Sequence, residues 1–353
     1  MRSRRKVEHI QHVLQEPLSN AEFSDIRLLH NCLPGTSGSR VELGTKVAGL
    51  DLALPFFFNA LTGGAAGTEE INHKLALASR HFRIPMAVGS QKAALEDPSL
   101  EGSYRIVRKT CPDGLIFANL SAGCSLEEAR RAVDMLEADA LQLHLNAPQE
   151  MVMPEGDRDF GGWLRNITEV TEGLKVPVIV KETGFGMAAE QVGMLAQAGV
   201  KAVDVSGRGG TNFINIEAGR AGLAAGELAD WGIPTPLALL EALEGKSGTV
   251  DIIASGGVNT SLSMVKSLAL GAAAVGLGAL PLKLILREGV DRAVKELEEI
   301  IEGIKKYMAL LGARTVTDLK QVPLVILGET GEWLRARGFP SHKYARRDFR
   351  QLS

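Results

Sequence analysis

Eight short apolar runs, separated by longer amphipathic stretches, constrain the fold of this chain more than any other feature of its sequence. Each run is almost continuous in aliphatic residues, as is typical of strands that are buried on both faces of a parallel sheet. We predict strands over 55–61, 84–88, 115–120, 140–145, 176–181, 202–206, 250–254 and 273–277.

The intervening stretches carry apolar residues at three- and four-residue spacings, which indicate amphipathic helices. Thr68, Ser125 and Thr260 are placed to cap helix starts, and Gly199 and Gly271 are placed to end helices before strands. We predict helices over 75–79, 126–136, 163–174, 188–198, 236–243, 262–270 and 291–311.

Eight alternating strand–helix units favour an α/β fold, a closed (β/α)8 TIM barrel. The alternative is an open doubly wound sheet. Its dinucleotide-binding form has Gly-x-Gly-x-x-Gly after the first strand, whereas the first run here is followed by Thr-Gly-Gly-Ala-Ala-Gly at 62–67. We therefore predict one barrel domain over 1–353, with an N-terminal extension at 1–50 that closes the active site, a barrel at 51–312 and a C-terminal extension at 313–353.

Composition excludes several classes of protein. Hydrophobic residues make up 45% of the 353, which is too many for a disordered chain. The 39 basic and 42 acidic residues nearly balance, so we expect no nucleic-acid partner. Three irregularly spaced cysteines argue against a disulfide framework. Because no long apolar run is present and polar residues follow the basic N-terminus, we expect no membrane span, no signal peptide and a cytoplasmic location.

The C-terminal ends of the predicted strands collect polar side chains and glycines, and this is the end of a barrel where reactive groups meet. Any one of these residues is compatible with a plain structural role, but the whole set predicts a functional site. Gly256-Gly257 follow strand seven, where loops of this fold often bind phosphate, although such pairs also form ordinary turns. The residues at these ends include Thr62, Gly89, Ser90, Asn119, Gln142, His144, Asn146, Lys181, Thr183, Asp204, Ser206, Gly276 and Gly278.

Three features each have two readings. Lys181 would be buried at an inward strand end, where it either pairs with a carboxylate such as Asp204 or serves a Schiff base, a phosphate or a flavin edge. Glu150 is either a solvated loop residue or a ligand for Mg²⁺. The basic residues at 4–6 with His9 form either a solvated tail or a cover that folds over the barrel mouth and neutralises a diphosphate.

These residues together resemble the type 2 isopentenyl-diphosphate isomerases, a family of FMN-dependent barrels. The most discriminating segment is His144-Leu-Asn146 with Gln149-Glu150, because other FMN barrels lack it. The other matching segments are Arg5-Lys6-x-x-His9, Thr62-Gly63-Gly64, Gly89-Ser90-Gln91, Ala118-Asn119-Leu120, Val180-Lys181-Glu182, the stretch 204–211, Trp231-Gly-Ile-Pro-Thr235 and Ala254-Ser-Gly-Gly257.

The resemblance implies roles for individual residues. His144, Gln149 and Lys181 would be catalytic, and Glu150 would hold Mg²⁺. The residues implied to surround FMN are Thr62, Gly63, Gly64, Ser90, Asn119, Lys181, Ser206, Thr211, Gly256, Gly257, Gly278 and Ala279. Those implied to approach the substrate are Arg5, Lys6, His9, Ser90, Gln91, Lys92, Asn146, Gln149, Thr183 and Arg208.

Two departures from the family pattern concern the phosphate end of FMN. Asn259 stands where many members have Arg, and Gly278-Ala279-Leu280 stands where many have Ala-Arg-Pro. The catalytic segment is intact.

The implied reaction converts isopentenyl diphosphate into dimethylallyl diphosphate without net oxidation, with reduced FMN as the acid–base group and NADPH as its reductant. The resemblance also implies a homotetramer or homo-octamer. Three rivals remain in view. A 2-hydroxy-acid oxidase-like FMN oxidoreductase should carry a late-strand His base and paired Arg, and an inosine-monophosphate-dehydrogenase-like barrel should carry a Cys after strand six; neither feature is present. A non-catalytic flavin-binding protein would have no use for the His144, Gln149 and Glu150 set.

Overall fold

The structure is a computed structural model, and it describes residues 2–352, without the side chains of residues 2–4 and 351. The strands are β1 (Ile26–Leu28), β2 (Thr45–Val47), β3 (Leu50–Leu52), β4 (Phe56–Phe58), β5 (Met86–Ala87), β6 (Ile116–Ser121), β7 (Ala140–Leu145), β8 (Val178–Glu182), β9 (Ala202–Asp204), β10 (Asp251–Ala254), β11 (Ala274–Leu277) and β12 (Leu324–Ile326).

Helices surround and extend the strands. They are α1 (Arg2–Gln15), α2 (Thr68–Phe82), α3 (Lys92–Glu96), α4 (Gly102–Thr110), α5 (Leu126–Leu136), α6 (Ala147–Val152), α7 (Trp163–Gly173), α8 (Ala189–Gln197), α9 (Phe213–Ala221), α10 (Thr235–Gly245), α11 (Ser261–Leu270), α12 (Ala279–Glu288), α13 (Val290–Leu311), α14 (Val316–Leu319), α15 (Gly328–Ala336) and α16 (His342–Ala345).

Strands β4 to β11 form a closed barrel of eight parallel strands, in which β11 pairs with β4 to complete the ring. Each strand overlaps one of the eight ranges predicted from the apolar runs, and the predicted (β/α)8 fold is confirmed. Parallel pairing requires a crossover between consecutive strands, and the amphipathic stretches supply it as helices packed on the outside of the barrel.

The predicted helices are all present, and several are longer than the apolar pattern indicated. The helix predicted at 75–79 runs from Thr68 to Phe82 as α2, and its N-cap is Gly67 in a left-handed conformation, so the prediction that Thr68 caps it is wrong. Ser125 and Thr260 do cap α5 and α11, since each side chain accepts a hydrogen bond from a backbone amide of the first turn.

The amino end of the barrel is closed by the antiparallel hairpin of β2 and β3. Val47 and Leu52 of the hairpin pack on an apolar layer inside the barrel that includes Phe57, Phe117 and Ile179. The rings of Phe57 and Phe117 lie edge to face, with centroids 5.6 Å apart. This end of the barrel is therefore filled with side chains and sealed.

The N-terminal and C-terminal segments meet beside the barrel, where β1 pairs antiparallel with β12. The C-terminal helix α15 is held to the barrel by Glu241 of α10, whose carboxylate accepts hydrogen bonds from Trp333 (2.7 Å) and Arg337 (2.9 Å). Because Glu241 is fully buried, these charge-assisted bonds balance the cost of burying the carboxylate. Among the described residues, no helix is both long and apolar enough to cross a membrane.

Candidate active site

Two adjoining cavities open at the carboxyl end of the barrel. The first, which we call the glycine-loop cavity, has a volume of about 200 Å³ and is lined by the loops after β9, β10 and β11. The second, which we call the His144 cavity, has a volume of about 400 Å³ and is lined by the loops after β4 to β8. His9, Lys181, Thr183 and Phe213 line both cavities, so the two are direct neighbours.

Polar side chains form a connected layer across the barrel interior beneath these cavities. Asn59 Nδ2 donates to Asp204 (2.6 Å), and Gln142 Nε2 donates to Asn59 Oδ1 (3.1 Å). Asn119 Nδ2 in turn donates to Gln142 (3.5 Å), and the ring nitrogen Nδ1 of His144 bonds to Asn119 Oδ1 (3.0 Å). Polar groups buried this deeply must be hydrogen-bonded, and each member of the layer has a partner.

Lys181 of β8 lies in register between His144 of β7 and Asp204 of β9. Its ammonium is buried and donates a hydrogen bond of 2.7 Å to the backbone carbonyl of Glu182. Burial lowers the pKa of Lys181, while the carboxylates of Asp204 and Glu182 act in the opposite direction. None of the ion pairs within 4.0 Å in the described part of the chain involves Lys181, whose hydrogen bond goes to a backbone carbonyl, so the ion pair with Asp204 that was one reading of the sequence does not form. The ammonium is therefore available to an anionic ligand.

Glu182 shapes the loop that follows Lys181, and the sequence analysis gave it no role. One of its carboxylate oxygens accepts hydrogen bonds from the backbone amides of Thr183 (2.6 Å), Gly184 (2.7 Å) and Phe185 (2.5 Å). Burial raises the pKa of Glu182 to about 8, although the amides and Lys181 counteract it. The signal was present in the sequence, because a carboxylate beside a Gly-containing turn is a common way to satisfy exposed amides.

The N-terminal helix α1 covers the mouth of the cavities and packs on α9 and α12. Lys6 is tied to the barrel by hydrogen bonds to the carbonyl of Ser90 (2.6 Å) and the hydroxyl of Tyr104 (2.6 Å), and by one to the carbonyl of Gly63. Arg5 and His9 line the His144 cavity. The basic segment therefore folds over the mouth and is not a solvated tail; the side chain of Arg4 lies outside the described residues.

Glu217 of α9 joins the cover to the barrel and was also missed from the sequence. Its carboxylate accepts hydrogen bonds from His9 Nε2 (2.7 Å) and Gln149 Nε2 (2.7 Å), and it pairs with Arg220. Burial acts to raise the pKa of Glu217, but the bonds from His9, Gln149 and Arg220 lower it to about 2. No motif marks this residue, because its partners come from distant parts of the chain.

The segment from Asn146 to Glu150 forms one wall of the His144 cavity. Asn146 Nδ2 donates to Glu150 Oε1 (2.8 Å), and the backbone amide of Asp157 donates to Glu150 Oε2 (2.9 Å). Each carboxylate oxygen retains a free lone pair. The described residues contain no group of three potential metal-ligating side chains, so a cation at Glu150 would draw its other ligands from a bound anion or water.

Most of the residues predicted from the sequence come together at these cavities. The predicted residues that line them are Arg5, Lys6, His9, Thr62, Ser90, Lys92, Asn119, His144, Asn146, Gln149, Glu150, Lys181, Thr183, Ser206, Thr211, Gly256, Gly257, Gly278 and Ala279.

Four predicted residues do not line the cavities. The side chain of Gln91 is buried between α5 and the barrel. Its amide donates to the carbonyl of Ala132 (2.9 Å), and its carbonyl accepts from the backbone amide of Asn119. Gly63 and Gly64 pack against the side chain of Tyr104. The backbone of Arg208 is hydrogen-bonded to Ile233 and Thr235, and its Nε is buried without a hydrogen-bond partner among the described residues. The roles predicted for these four residues towards FMN or the substrate stay predictions.

The glycine pair after β10 is required by packing between protein loops. A Cβ at Gly256 would lie 2.1 Å from the carbonyl oxygen of Gly207, and a Cβ at Gly257 would lie 2.0 Å from that of Gly209. Asn259, one of the departures from the family pattern, donates to the carbonyl of Ser19 (2.8 Å) and so fastens the N-terminal segment to this loop. Gly278 faces open space, with no atom closer to its Cβ position than Leu61 at 4.0 Å.

Comparisons with known proteins place this barrel in a class. Residues 119–325 match the family of FMN-dependent dehydrogenases, which is more than half of the chain. Solved structures of a mandelate oxidase share the fold. The one bound to 3,3-difluoro-2-hydroxy-3-phenylpropionic acid has a TM-score of 0.63, 18% identity and coverage of 90% of this chain and 94% of that one. The one bound to (S)-2-phenylpropionate has a TM-score of 0.62, 17% identity and coverage of 92% and 97%. The chain is thus an FMN-family barrel, and at this identity the oxidases show the fold alone.

The curated relatives are more specific. An isopentenyl-diphosphate delta-isomerase of Geobacillus sp. is 46% identical over 98% of this chain and 99% of its own length. Those of Bacillus licheniformis (47%; 98% and 99%) and Symbiobacterium thermophilum (46%; 90% and 88%) are similarly close. The chain therefore belongs to the isopentenyl-diphosphate delta-isomerases, in their FMN-dependent type 2 branch. The family predicted from the sequence motifs is confirmed.

Proposed function

We propose that this chain catalyses the interconversion of isopentenyl diphosphate and dimethylallyl diphosphate with reduced FMN as its cofactor. The observation that carries the proposal is the buried ammonium of Lys181, which lines both cavities and has no carboxylate within ion-pair distance in the described part of the chain. A buried cation of this kind requires an anionic partner, and a reduced flavin ring supplies one. The full-length relatives carry the name of the same reaction.

The residues around the cavities fit FMN. Thr62 Oγ1 is buried without a hydrogen-bond partner in the described part of the chain, and it lines the same cavity as Ser90 and Asn119. Buried polar atoms of this kind are rare in folded proteins and indicate a missing ligand. We assign the ring to Thr62, Ser90, Asn119 and Lys181. The phosphate would lie in the glycine-loop cavity, held by the loop residues Ser206, Thr211, Gly256, Gly257, Gly278 and Ala279.

The substrate diphosphate would lie in the His144 cavity, under α1. Arg5 Nε and Asn146 Oδ1 line this cavity, and both atoms are buried without a hydrogen-bond partner among the residues that the structure describes. Arg5, Lys6 and Lys92 supply positive charge beside His9, although Lys92 is held by an ion pair with Glu128 of α5. Such a cluster suits a diphosphate better than a carboxylate, because two phosphate groups offer many acceptor oxygens.

We also propose that Glu150 binds Mg²⁺ together with the diphosphate. It lines the same cavity as the basic residues, and Mg²⁺ commonly combines one or two carboxylates with substrate phosphates. NADPH is proposed as the reductant of the flavin. We further propose that the chain forms a homotetramer or homo-octamer in the cytoplasm. Its partner molecule is a small diphosphate, and we propose no nucleic-acid or membrane partner.

Reduced FMN supplies the acid–base chemistry at the reacting carbons when it is bound. Lys181 holds the negative charge of the ring. His144 is neutral, because burial and the nearby charges of Lys181, Lys6 and Arg5 lower its pKa to about 3. Gln149 is held by Glu217 in the wall of the cavity, where it positions the substrate. The cover formed by α1 excludes water from the reacting end.

The direct test is an anaerobic assay with FMN, Mg²⁺, a reductant and isopentenyl diphosphate. We expect the purified protein to be yellow before the reductant is added, and the reduced protein to form the allylic product, with activity lost when the reductant is omitted. A purified protein that bound no flavin and formed no allylic diphosphate would contradict the proposal. Oxidation of a 2-hydroxy acid in the same preparation would favour the oxidoreductase alternative.

Lys181→Met tests the residue on which the proposal depends. Methionine keeps the length of the side chain and removes its charge, so we expect turnover to fall by about 10²- to 10³-fold, as for the loss of one preorganised donor. The control is Lys175→Met, an exposed lysine at the opposite end of the barrel, which should leave turnover unchanged. Equal turnover in Lys181→Met and the wild-type chain would exclude this role.

A further inference from the structure

Gln142 is fully buried at the centre of the polar layer, and its side-chain amide joins Asn59 to Asn119. It does not line either cavity, so it cannot contact a ligand directly. Its position gives it control over the hydrogen bonding of His144, which does line the larger cavity.

The direction of hydrogen bonding in the layer is set at Asp204. Its carboxylate accepts from Asn59 Nδ2 (2.6 Å), the Ser255 hydroxyl (2.5 Å) and the Ser206 amide (3.3 Å). Asn59 must therefore turn its NH₂ group towards Asp204. Its carbonyl is held independently, because Oδ1 accepts from the backbone amide of Ala60 at 2.9 Å.

The same direction is imposed on every residue up to His144. Because Asn59 Oδ1 can only accept, Gln142 must present Nε2 to it, which leaves Gln142 Oε1 facing Asn119. Asn119 then presents its NH₂ group to Gln142 and its carbonyl to His144. Since that carbonyl is also only an acceptor, Nδ1 of His144 must carry a proton.

The ring of His144 has only one proton to place. Burial and the charges of Lys181, Lys6 and Arg5 hold its pKa at about 3, so the imidazole is neutral near pH 7. With the proton on Nδ1, Nε2 is an acceptor, and it is the ring nitrogen left for a ligand of the His144 cavity. The opposite tautomer would place two acceptors against each other in a buried site, which is costly.

We propose that Gln142 is a positioning residue that acts through Asn119 to hold His144 as the Nδ1–H tautomer, with Nε2 as an acceptor towards the cavity. The proposal rests on the proposed function only for the identity of the group that Nε2 meets. A diphosphate oxygen would not suit this nitrogen, because both are acceptors. The tautomer therefore keeps the phosphates away from His144 and favours a group that donates a hydrogen bond.

The test is nitrogen NMR of the full-length protein labelled with ¹⁵N-histidine, recorded without substrate. The signals of His144 are assigned by their loss in His144→Gln. In the wild-type chain we expect a protonated Nδ1 and an unprotonated Nε2, which have well-separated shifts. An Nε2–H tautomer in the wild-type chain would overturn the proposal, whatever the variants do.

Two substitutions at 142 sharpen the test. Gln142→Leu removes the acceptor for Asn119, whose amide is then free to reverse, so we expect the two nitrogen shifts of His144 to converge or exchange. Gln142→Glu is the matched control: a neutral buried glutamic acid donates its hydroxyl to Asn59 and accepts from Asn119, so we expect the wild-type tautomer. Loss of the tautomer in both variants, or in neither, would contradict the role of Gln142.

The readout contains no substrate, so it is independent of the isomerase assay. A wild-type tautomer in a protein without isomerase activity would overturn the proposed function and leave this inference standing. In an active protein, we expect Gln142→Leu to lower kcat/KM about tenfold, the effect of one lost hydrogen bond in a buried site, and Gln142→Glu to restore it.

Discussion

The two ends of the barrel are built from the same strands, yet they differ completely in chemistry. At the amino end, the inward positions are apolar, among them Phe57, Phe117 and Ile179. Two residues further along the same strands, the inward positions are polar: Asn59, Asn119 and Lys181. Three other strands repeat the change, from Ala140 to Gln142, Ala202 to Asp204 and Ile253 to Ser255, whereas β5 and β11 pass from alanine to glycine, at Gly89 and Gly276.

The comparison shows how the barrel separates stability from function. Alternation along a strand sends every second side chain inward, so a single step of two residues changes the layer from an apolar core to a polar floor under the cavities. Even the glycine at 276 serves this floor, because a Cβ there would lie 2.6 Å from Asn59 Nδ2. The apolar burial at the closed end stabilises the fold and so offsets the free-energy cost of burying polar groups at the open end.

The largest effect on stability is expected at the closed end. Leu52 of the hairpin is buried in the apolar layer, so Leu52→Ala should lower the free energy of unfolding by about 2–5 kcal/mol through lost burial and a cavity. Urea unfolding measures the change. Turnover per folded molecule should stay near the wild-type value, since the hairpin lies at the end away from both cavities. Leu33→Ala, at an exposed leucine, is the control and should be neutral. A large loss of turnover in folded Leu52→Ala would break the separation.

A smaller, pH-dependent effect is expected at the open end. Glu217→Gln weakens the bonds that hold α1 and should lower the free energy of unfolding by about 2 kcal/mol near neutral pH. The native state holds the pKa of Glu217 at about 2, below the 4.5 of a free Glu, so the stabilisation is present above pH 4.5 and is lost as the pH falls towards 2.

Urea unfolding of the wild-type chain and Glu217→Gln across this pH range checks the prediction. The difference between them should shrink as the pH falls, and Glu22→Gln, at an exposed carboxylate, should show no such trend. A difference that stayed constant with pH would mean that the charge of Glu217 contributes nothing to holding the cover.

The smallest effect is expected at the surface of the closed end. Lys46 and Asp51 of the hairpin form an ion pair of 3.3 Å, but both side chains are largely exposed. Solvent screens such a pair, so Lys46→Ala should shift the urea midpoint by no more than the experimental scatter. A clear shift would show that surface charge, in addition to the apolar layer, stabilises the closed end.

The fold was largely predictable, because burial on both faces leaves a strong apolar signal in each strand and Gly or Ser/Thr marks many helix ends. The helices that were not predicted carry weaker signals. Helix α1 is polar and basic in sequence, and its place depends on contacts with Ser90, Tyr104 and Glu217 that are far away in the chain. Helix α9 (Phe213–Ala221) lies in a stretch for which no helix was predicted.

The sequence predicted which residues belong to the candidate site better than it predicted how their side chains are arranged. Residues at strand ends were found because a closed barrel brings all such ends together. Glu182 and Glu217 were missed, because a lone glutamate in a sequence does not reveal that backbone amides or a distant helix will surround it. Gln91 was assigned to the substrate, but its side chain is used to join α5 to the sheet.

The barrel, the family and the end of the barrel that carries the site could all be predicted from the sequence, because hydrophobic period and strand-end motifs are local properties of the chain. The direction in which each side chain points depends on the closed barrel, and so do the lack of a carboxylate within ion-pair distance of Lys181 in the described chain and the position of α1 over the cavities. The closed barrel also sets the direction of hydrogen bonding from Asp204 to His144. These properties depend on residues that are distant in sequence and meet only when the barrel closes.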